Sequence, residues 1–222
     1  AARVLAEEIL GREIPWSHVL VRLHDFERDK VSFVEDMRDE LVENNETIHW
    51  VPDYVGQRRF GNWLEGARDW AISRNRYWGS CIPIWLCDQG DHQVCIGSID
   101  ELEERSGIRL DDLHKHIVDP VTFPCDECDG TMIRTPEVLD CWFESGSMPF
   151  AQVHYPFENK DWFQDHFPGD FIVEYIGQTR GWFYTLMVLA TALFDRAPFR
   201  SAICHGVVLD ENKQKLSKRL KN

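Results

Sequence analysis
Apolar positions recur along this chain at two spacings, and the change between them separates helices from strands. Near the start, Val4, Leu5, Ile9 and Leu10 share one helical face, closed by Gly11, and residues 16–23 then alternate as a strand does. Residues 33–46 read as a polar helix, and residues 50–54, with Pro52 inside, as a turn. Residues 58–72 form an amphipathic helical pattern with Phe60, Trp63, Leu64, Ala67 and Ala71 on one side. A loop from Ser73 leads into a short strand at 82–86. A polar stretch from Cys87 to Asp129 holds a helix at 99–106 and a turn or metal element at 124–130, and a strand follows at 138–143.

The pattern is clearest near the end. Residues 170–175 are a strand, and residues 178–194 a helix that buries Phe183, Leu186, Met187, Ala190, Leu193 and Phe194. Residues 201–209 are a second strand. Strand, helix and strand in about 40 residues predict a βαβ unit with a parallel strand pair. Ligands of such sheets sit beyond the carboxyl ends of the strands, where Glu174, His205 and Gly206 fall.

Composition narrows the class. With 222 residues, 43% of them hydrophobic and nine of them tryptophan, the chain can bury a core of one large or two small domains. The net charge of -14 argues against a general nucleic-acid coat, because phosphate binding needs clustered Lys and Arg. Acid concentrates at 25–46 and 100–112, whereas Lys213, Lys215, Lys218, Arg219 and Lys221 crowd together near the end. Seven cysteines, an odd number with one CxxC pair, no leader-like start and no apolar run near 18 residues predict a soluble cytoplasmic protein with reduced thiols and no membrane contact. Both ends read as cut from a longer chain.

Two clusters carry chemistry. Lys215 and Lys218 bracket Leu216 and Ser217 on a polar loop after a strand. Two ammonium groups and a hydroxyl so presented can neutralise a polyphosphate as a bond breaks; a solvated basic tail is the plain alternative. Cys125 and Cys128, followed by Gly130, have the spacing of half a zinc knuckle.

Four segments together resemble the class I aminoacyl-tRNA synthetases, most of all their isoleucyl branch. They are residues 70–79 (WAISRNRYWG), 140–146 (DCWFESG), 178–183 (QTRGWF) and 215–218 (KLSK), and the likeness covers roughly residues 31–222. It implies an α/β architecture: the second half of a class I nucleotide-binding, Rossmann-like fold with an inserted zinc-knuckle-like segment. It also implies a division into 1–57, a junction from a preceding inserted or editing region, 58–146, a catalytic segment carrying the knuckle, and 147–222, the nucleotide-binding half.

The resemblance further implies ATP-dependent ligation of isoleucine to its tRNA through isoleucyl-adenylate, with Mg²⁺ accompanying ATP and a monomeric full-length enzyme. Trp142 and Trp182 match the tryptophans that wall the isoleucine side chain. Glu174 matches the acid that anchors the adenylate, through an ammonium or a ribose hydroxyl, and Gln178 a polar residue of the same site. His205 and Gly206 match the His-Gly step beside adenosine. Lys215, Ser217 and Lys218 match the loop that stabilises the α-phosphate and the leaving pyrophosphate. Where the family has Glu-Gly-x-Asp-Gln this chain has Tyr175 and Gly177 in place of the glycine and aspartate, and Lys213 stands where Gly often precedes the lysines.

Zn²⁺ is the other implied cofactor. Cys87 keeps the first cysteine of the family's second pair, and His92 or Cys95 could complete a site with Cys87, Cys125 and Cys128; the alternative is a degenerate knuckle held by turn hydrogen bonds. The family's His-x-Gly-His signature does not occur in this sequence. The competing functional readings are a non-catalytic adenylate-site relic acting as a binding module, and a valyl- or leucyl-type ligase.

Overall fold
A computed structural model describes residues 37–219. The helix expected around Val4–Leu10 and the strand at 16–23 lie outside the described residues, as does Lys221. The chain divides into two compact units, Asp69–Glu144 forming the described part of one, and residues 37–68 and 145–219 that of the other.

In chain order the elements begin with α1 (Arg38–Glu46), β1 (His49–Val51), a π-helical turn (Val55–Phe60) running into α2 (Gly61–Glu65), β2 (Ser73–Arg74), β3 (Ile84–Cys87) and β4 (Gln93–Cys95). Next come α3 (Ile99–Ser106), α4 (Lys115–Val118), β5 (Phe123–Pro124), β6 (Thr131–Arg134), β7 (Val138–Leu139), α5 (Cys141–Gly146) and α6 (Met148–Ala151). The last are α7 (Lys160–His166), β8 (Gly169–Tyr175), a 3-10 turn (Ile176–Arg180), α8 (Trp182–Phe194) and β9 (Phe199–His205).

The unit at 69–144 is built on a four-stranded antiparallel sheet in the order β4-β3-β6-β5. Strand β3 lies where a strand was expected at 82–86, whereas β4, β5 and β6 were not read; the sheet packs through Trp85, which is 1% exposed and donates Nε1–H to the Val121 carbonyl at 2.8 Å. Leu102, Val118, Phe123 and Met132 join the same cluster. Helix α3 lies where expected. Ser98 Oγ accepts from Glu101 N at 3.1 Å, Glu101 reaches back to Gly97 N at 2.8 Å, and Gly107 closes the far end at φ 72°. The Arg134 guanidinium is buried, and its charge is matched by an ion pair with Asp119 and by the Ile82 and Glu137 carbonyls.

A second, two-stranded sheet pairs β2 with β7. Strand β7 is shorter than expected, because Asp140 stops it. Its carboxylate Oδ1 accepts from Trp142 N at 3.1 Å and its carbonyl from Phe143 N and Glu144 N, so the chain turns into α5 and the expected strand at 138–143 survives only as Val138–Leu139.

The other unit is built on the parallel sheet β1-β9-β8. Strands β8 and β9 run parallel with α8 between them in sequence, as expected of a βαβ unit. Helix α8 buries Phe183, Leu186, Met187, Ala190 and Phe194, with Leu193 half-buried. It starts at Trp182 rather than Gln178, the preceding residues forming the 3-10 turn, and β9 ends at His205 rather than 209.

Two readings are corrected here. The turn expected at 50–54 begins as a strand: Trp50 lies in β1, paired with Ala202, and its indole packs on Phe60, Phe183 and Phe199 while Nε1 donates to Asn45 Oδ1 at 2.9 Å. Pro52 falls just past the strand, where its missing N–H costs nothing. The helix expected at 58–72 runs instead from Val55 to Glu65, its first part π-helical. Residues beyond Gly66 leave the helix, and Trp70 and Arg74 are both drawn to the Asp140 carboxylate. Trp63 is 37% exposed and not part of a buried face.

Candidate functional site
In the parallel sheet the register sets Glu174 beside Cys204 and Tyr175 beside His205, so the expected residues gather at the carboxyl ends of β8 and β9. Glu174 is half-buried and accepts from Tyr175 N at 3.2 Å. The His205 ring Nδ1 lies 2.7 Å from the Gly206 carbonyl. Gly206 has no atom within 4 Å of where a Cβ would stand, which leaves open space for a ligand.

Gln178 follows on the 3-10 turn. Its Oε1 accepts from Trp182 N at 3.0 Å, satisfying the first turn of α8 and leaving the NH₂ end to offer a ligand. Trp182 donates Nε1–H to the Ser145 carbonyl at 3.0 Å, which fixes the plane of its indole.

Tyr175 and Gly177 fit one another. A Cβ added at Gly177 would meet the Tyr175 ring, with Oη 2.5 Å away, so the tyrosine fills the space that any side chain at 177 would need.

The lysine segment is a hairpin. Leu209 bridges Lys215, Asp210 N donates to the Gln214 carbonyl at 2.8 Å, and Leu216 N reaches Val208 at 3.4 Å. Asp210 organises the tip by accepting from Asn212 N and Gln214 N at 2.9 and 2.8 Å. Lys213 closes it at φ 60°, a left-handed conformation that explains a glycine preference at that position. Lys215 and Lys218 are exposed, and Ser217 Oγ accepts from Arg219 N at 3.3 Å.

In the unit at 69–144, Trp142 is 43% exposed on α5. Below it, the buried Asp140 accepts from Trp70 Nε1 at 3.1 Å and pairs with Arg74. Two of the motif segments are thus one structural element, tied by a carboxylate whose role the sequence reading did not single out. The signal was present, since Trp70, Arg74 and Asp140 all lie within the quoted motifs.

The same unit holds a sulfur-rich cluster. One ligand atom each from Cys87, His92, Cys125 and Cys128 lies within 4.8 Å of the others. Cys87 and Cys128 Sγ are 3.4 Å apart, and Cys125 Sγ is 3.3 Å from His92 Nδ1. Backbone N–H groups of Gln89, Glu127 and Gly130 point at the Cys87, Cys125 and Cys128 sulfurs at 3.4–3.5 Å. Gly130 is required there, because a Cβ would sit 2.6 Å from Cys87 Sγ.

The thiols compete for charge. The Gln89 N–H and the neighbouring sulfurs draw Cys87 below the usual thiol range. At Cys128 the Gly130 N–H works in the same direction, but the Cys87 and Cys125 sulfurs and burial outweigh it and push the group up to about 11. A divalent ion is what three cysteine sulfurs and an imidazole at this spacing suit. His92, not Cys95, completes the group, and its Nε2 faces Glu127 at 3.7 Å.

Residues 29–222 match the model of the family described as tRNA synthetases class I (I, L, M and V). The chain belongs to that family. It is 58% identical over 189 residues to a protein of Dictyostelium discoideum named probable isoleucine–tRNA ligase, cytoplasmic, an overlap covering 85% of this chain and 18% of that one. It is equally similar to the isoleucine–tRNA ligase of Treponema denticola (85% and 17%) and to the cytoplasmic isoleucine–tRNA ligase of Mus musculus (85% and 15%). The chain spans less than a fifth of the length of these curated relatives. Its mixed α/β content is that of a class I synthetase, and among the described residues no helix is long and apolar enough to cross a membrane.

Proposed function
We propose that this class I synthetase segment serves ATP-dependent ligation of isoleucine to its tRNA, as the nucleotide-binding half of the catalytic domain, in a cytoplasmic and monomeric full-length enzyme. The observation that carries the reading is the convergence of Glu174, Gln178, His205 and Gly206 at the carboxyl ends of two parallel strands, followed at once by the lysine hairpin. An α/β sheet receives its ligand at that edge.

In this reading Glu174 accepts from the substrate ammonium or a ribose hydroxyl, and the Gln178 amide donates to the adenylate. His205 flanks adenosine, with Gly206 giving the nucleotide close access to backbone. Lys215 and Lys218 neutralise charge on the α-phosphate and the departing pyrophosphate, Ser217 adds a donor, and Mg²⁺ accompanies ATP. Little covalent chemistry falls to the protein, so positioning and charge carry the rate. Trp142 and Trp182 each offer the rigid apolar wall that an isoleucine side chain needs. Such walls reject valine only weakly, one methylene being worth about 1–3 kcal/mol, a value known from enzymes of this specificity.

The Cys87, His92, Cys125 and Cys128 group would hold a structural Zn²⁺, a reading supported by the three sulfur-directed N–H groups and the Gly130 cradle. The ion supplies cross-linking, not catalysis, since four protein ligands leave it no open position.

Amino-acid-dependent ATP–pyrophosphate exchange by the full-length polypeptide carrying this segment tests the ligase reading. Isoleucine should be preferred over valine and leucine, and Lys215→Ala or Lys218→Ala should each slow exchange at least roughly tenfold. Equal use of the three amino acids would sink the isoleucine assignment, and a neutral lysine substitution would sink the role of the hairpin.

A further inference from the structure
One pocket in the unit at 37–68 and 145–219 has no part in the chemistry above. It is open to solvent, has a volume of about 330 Å³ and is lined by Arg58, Arg59, Asn62, Trp63 and Arg180. Three guanidinium groups meet there with no carboxylate among the five residues, in a chain whose net charge is -14.

The side chains are held, not splayed. Arg59 Nε donates to Thr179 Oγ1 at 3.0 Å, and the buried Thr179 donates onward to the Ile176 carbonyl at 2.9 Å. The Arg180 guanidinium lies over the Trp63 ring, 4.7 Å from its centroid, and Tyr184 meets the same ring edge-on at 6.0 Å. The indole is therefore fixed by its neighbours yet 37% exposed. The segments that build the pocket leave the carboxyl ends of β1 and β8, strands of one parallel sheet, so the pocket shares that rim with Glu174 and His205.

Guanidinium forks match phosphate oxygens in pairs, and an exposed indole offers a face on which any base can stack. Such a volume accommodates a nucleotide unit. We propose that this pocket binds a phosphodiester of a single-stranded RNA segment, its base lying against Trp63. The RNA source rests on the ligase reading, which gives the protein an RNA substrate; the phosphate chemistry stands on the pocket alone.

The test is fluorescence anisotropy of the 222-residue chain with a labelled single-stranded RNA of about twelve nucleotides, long enough to cover one such site. ATP and inorganic phosphate serve as competitors, and the salt concentration is varied. Arg58→Gln with Arg180→Gln should weaken RNA binding at least about tenfold and flatten the log–log salt dependence by about 0.7, the contribution of one phosphate contact on a single strand. Trp63→Leu should weaken binding by roughly tenfold with the salt slope unchanged. Melting curves matching the parent chain establish that the variants fold.

Absence of RNA binding, or an unchanged affinity and slope in the arginine pair, overturns the proposal. ATP or phosphate displacing RNA as well as RNA displaces itself overturns the RNA source. These outcomes are separate from the exchange assay: loss of isoleucine-dependent exchange would strike the ligase reading, whereas arginine variants that bind RNA normally would strike only this one.

Discussion
The two units hold themselves together by different means. The unit at 37–68 and 145–219 closes a parallel sheet with aromatics, Trp50 packing on Phe60, Phe183 and Phe199, all buried. The unit at 69–144 has strands of two to four residues and a core around Trp85, and at one end of its sheet three cysteines and a histidine stand where apolar side chains would otherwise close it. The lesson concerns size. A small sheet with short strands buries too little surface to stand alone, and a metal cross-link is a compact substitute for a larger core.

The sharpest way to break this comparison is to disrupt the proposed Zn²⁺ site. Chelation, or Cys125→Ser, should melt the unit at 69–144 and leave the other folded, because metal binding in such sites is folding free energy on the order of 10 kcal/mol. Calorimetry should show one transition lost and one kept, and elemental analysis one zinc per untreated chain. A single unchanged melt would remove the metal from the account.

The converse substitution is Phe183→Ala, which empties the aromatic core. It should lower the stability of the unit at 37–68 and 145–219 by about 3–5 kcal/mol in urea titration, with zinc content unchanged.

A smaller and finer effect concerns Tyr175 and Gly177. Gly177→Asp alone places a side chain against the Tyr175 ring and should cost about 1–3 kcal/mol. Adding Tyr175→Gly should recover most of that loss, a coupling that a double-mutant cycle measures directly. Additive losses would mean that the two departures from the family pattern are independent.

Legibility in the sequence followed how local the determinants were. Helix α3 was readable because Ser98, Glu101 and Gly107 write its ends within ten residues. The parallel pair was readable because β8, α8 and β9 keep a clean periodicity. Strand β1 was misread because Pro52 looks like punctuation, whereas the residue that decides the matter is Trp50, whose partners Phe183 and Phe199 are far away in sequence. Of the antiparallel sheet only β3 was read, because β4, β5 and β6 are two to four residues long and acquire their order from packing around Trp85. For the cluster, Cys125 and Cys128 declare themselves by spacing, but the choice of His92 over Cys95 depends on where β3 and β4 turn. The three arginines of the pocket come from two segments more than a hundred residues apart and carry no sequence signature.

The hairpin at Asp210 has a kinetic consequence. Its tip is stitched by its own backbone and by one carboxylate, whereas at its foot no atom lies within 4 Å of where a Cβ on Gly206 would stand. The paired residues 208–216, Lys215 among them, therefore form a shaped unit of their own, as the jaws of a tool keep their shape while the handle swings. In the role proposed for it, a loop already shaped loses little conformational entropy on engaging a phosphate chain and needs little search for the right shape.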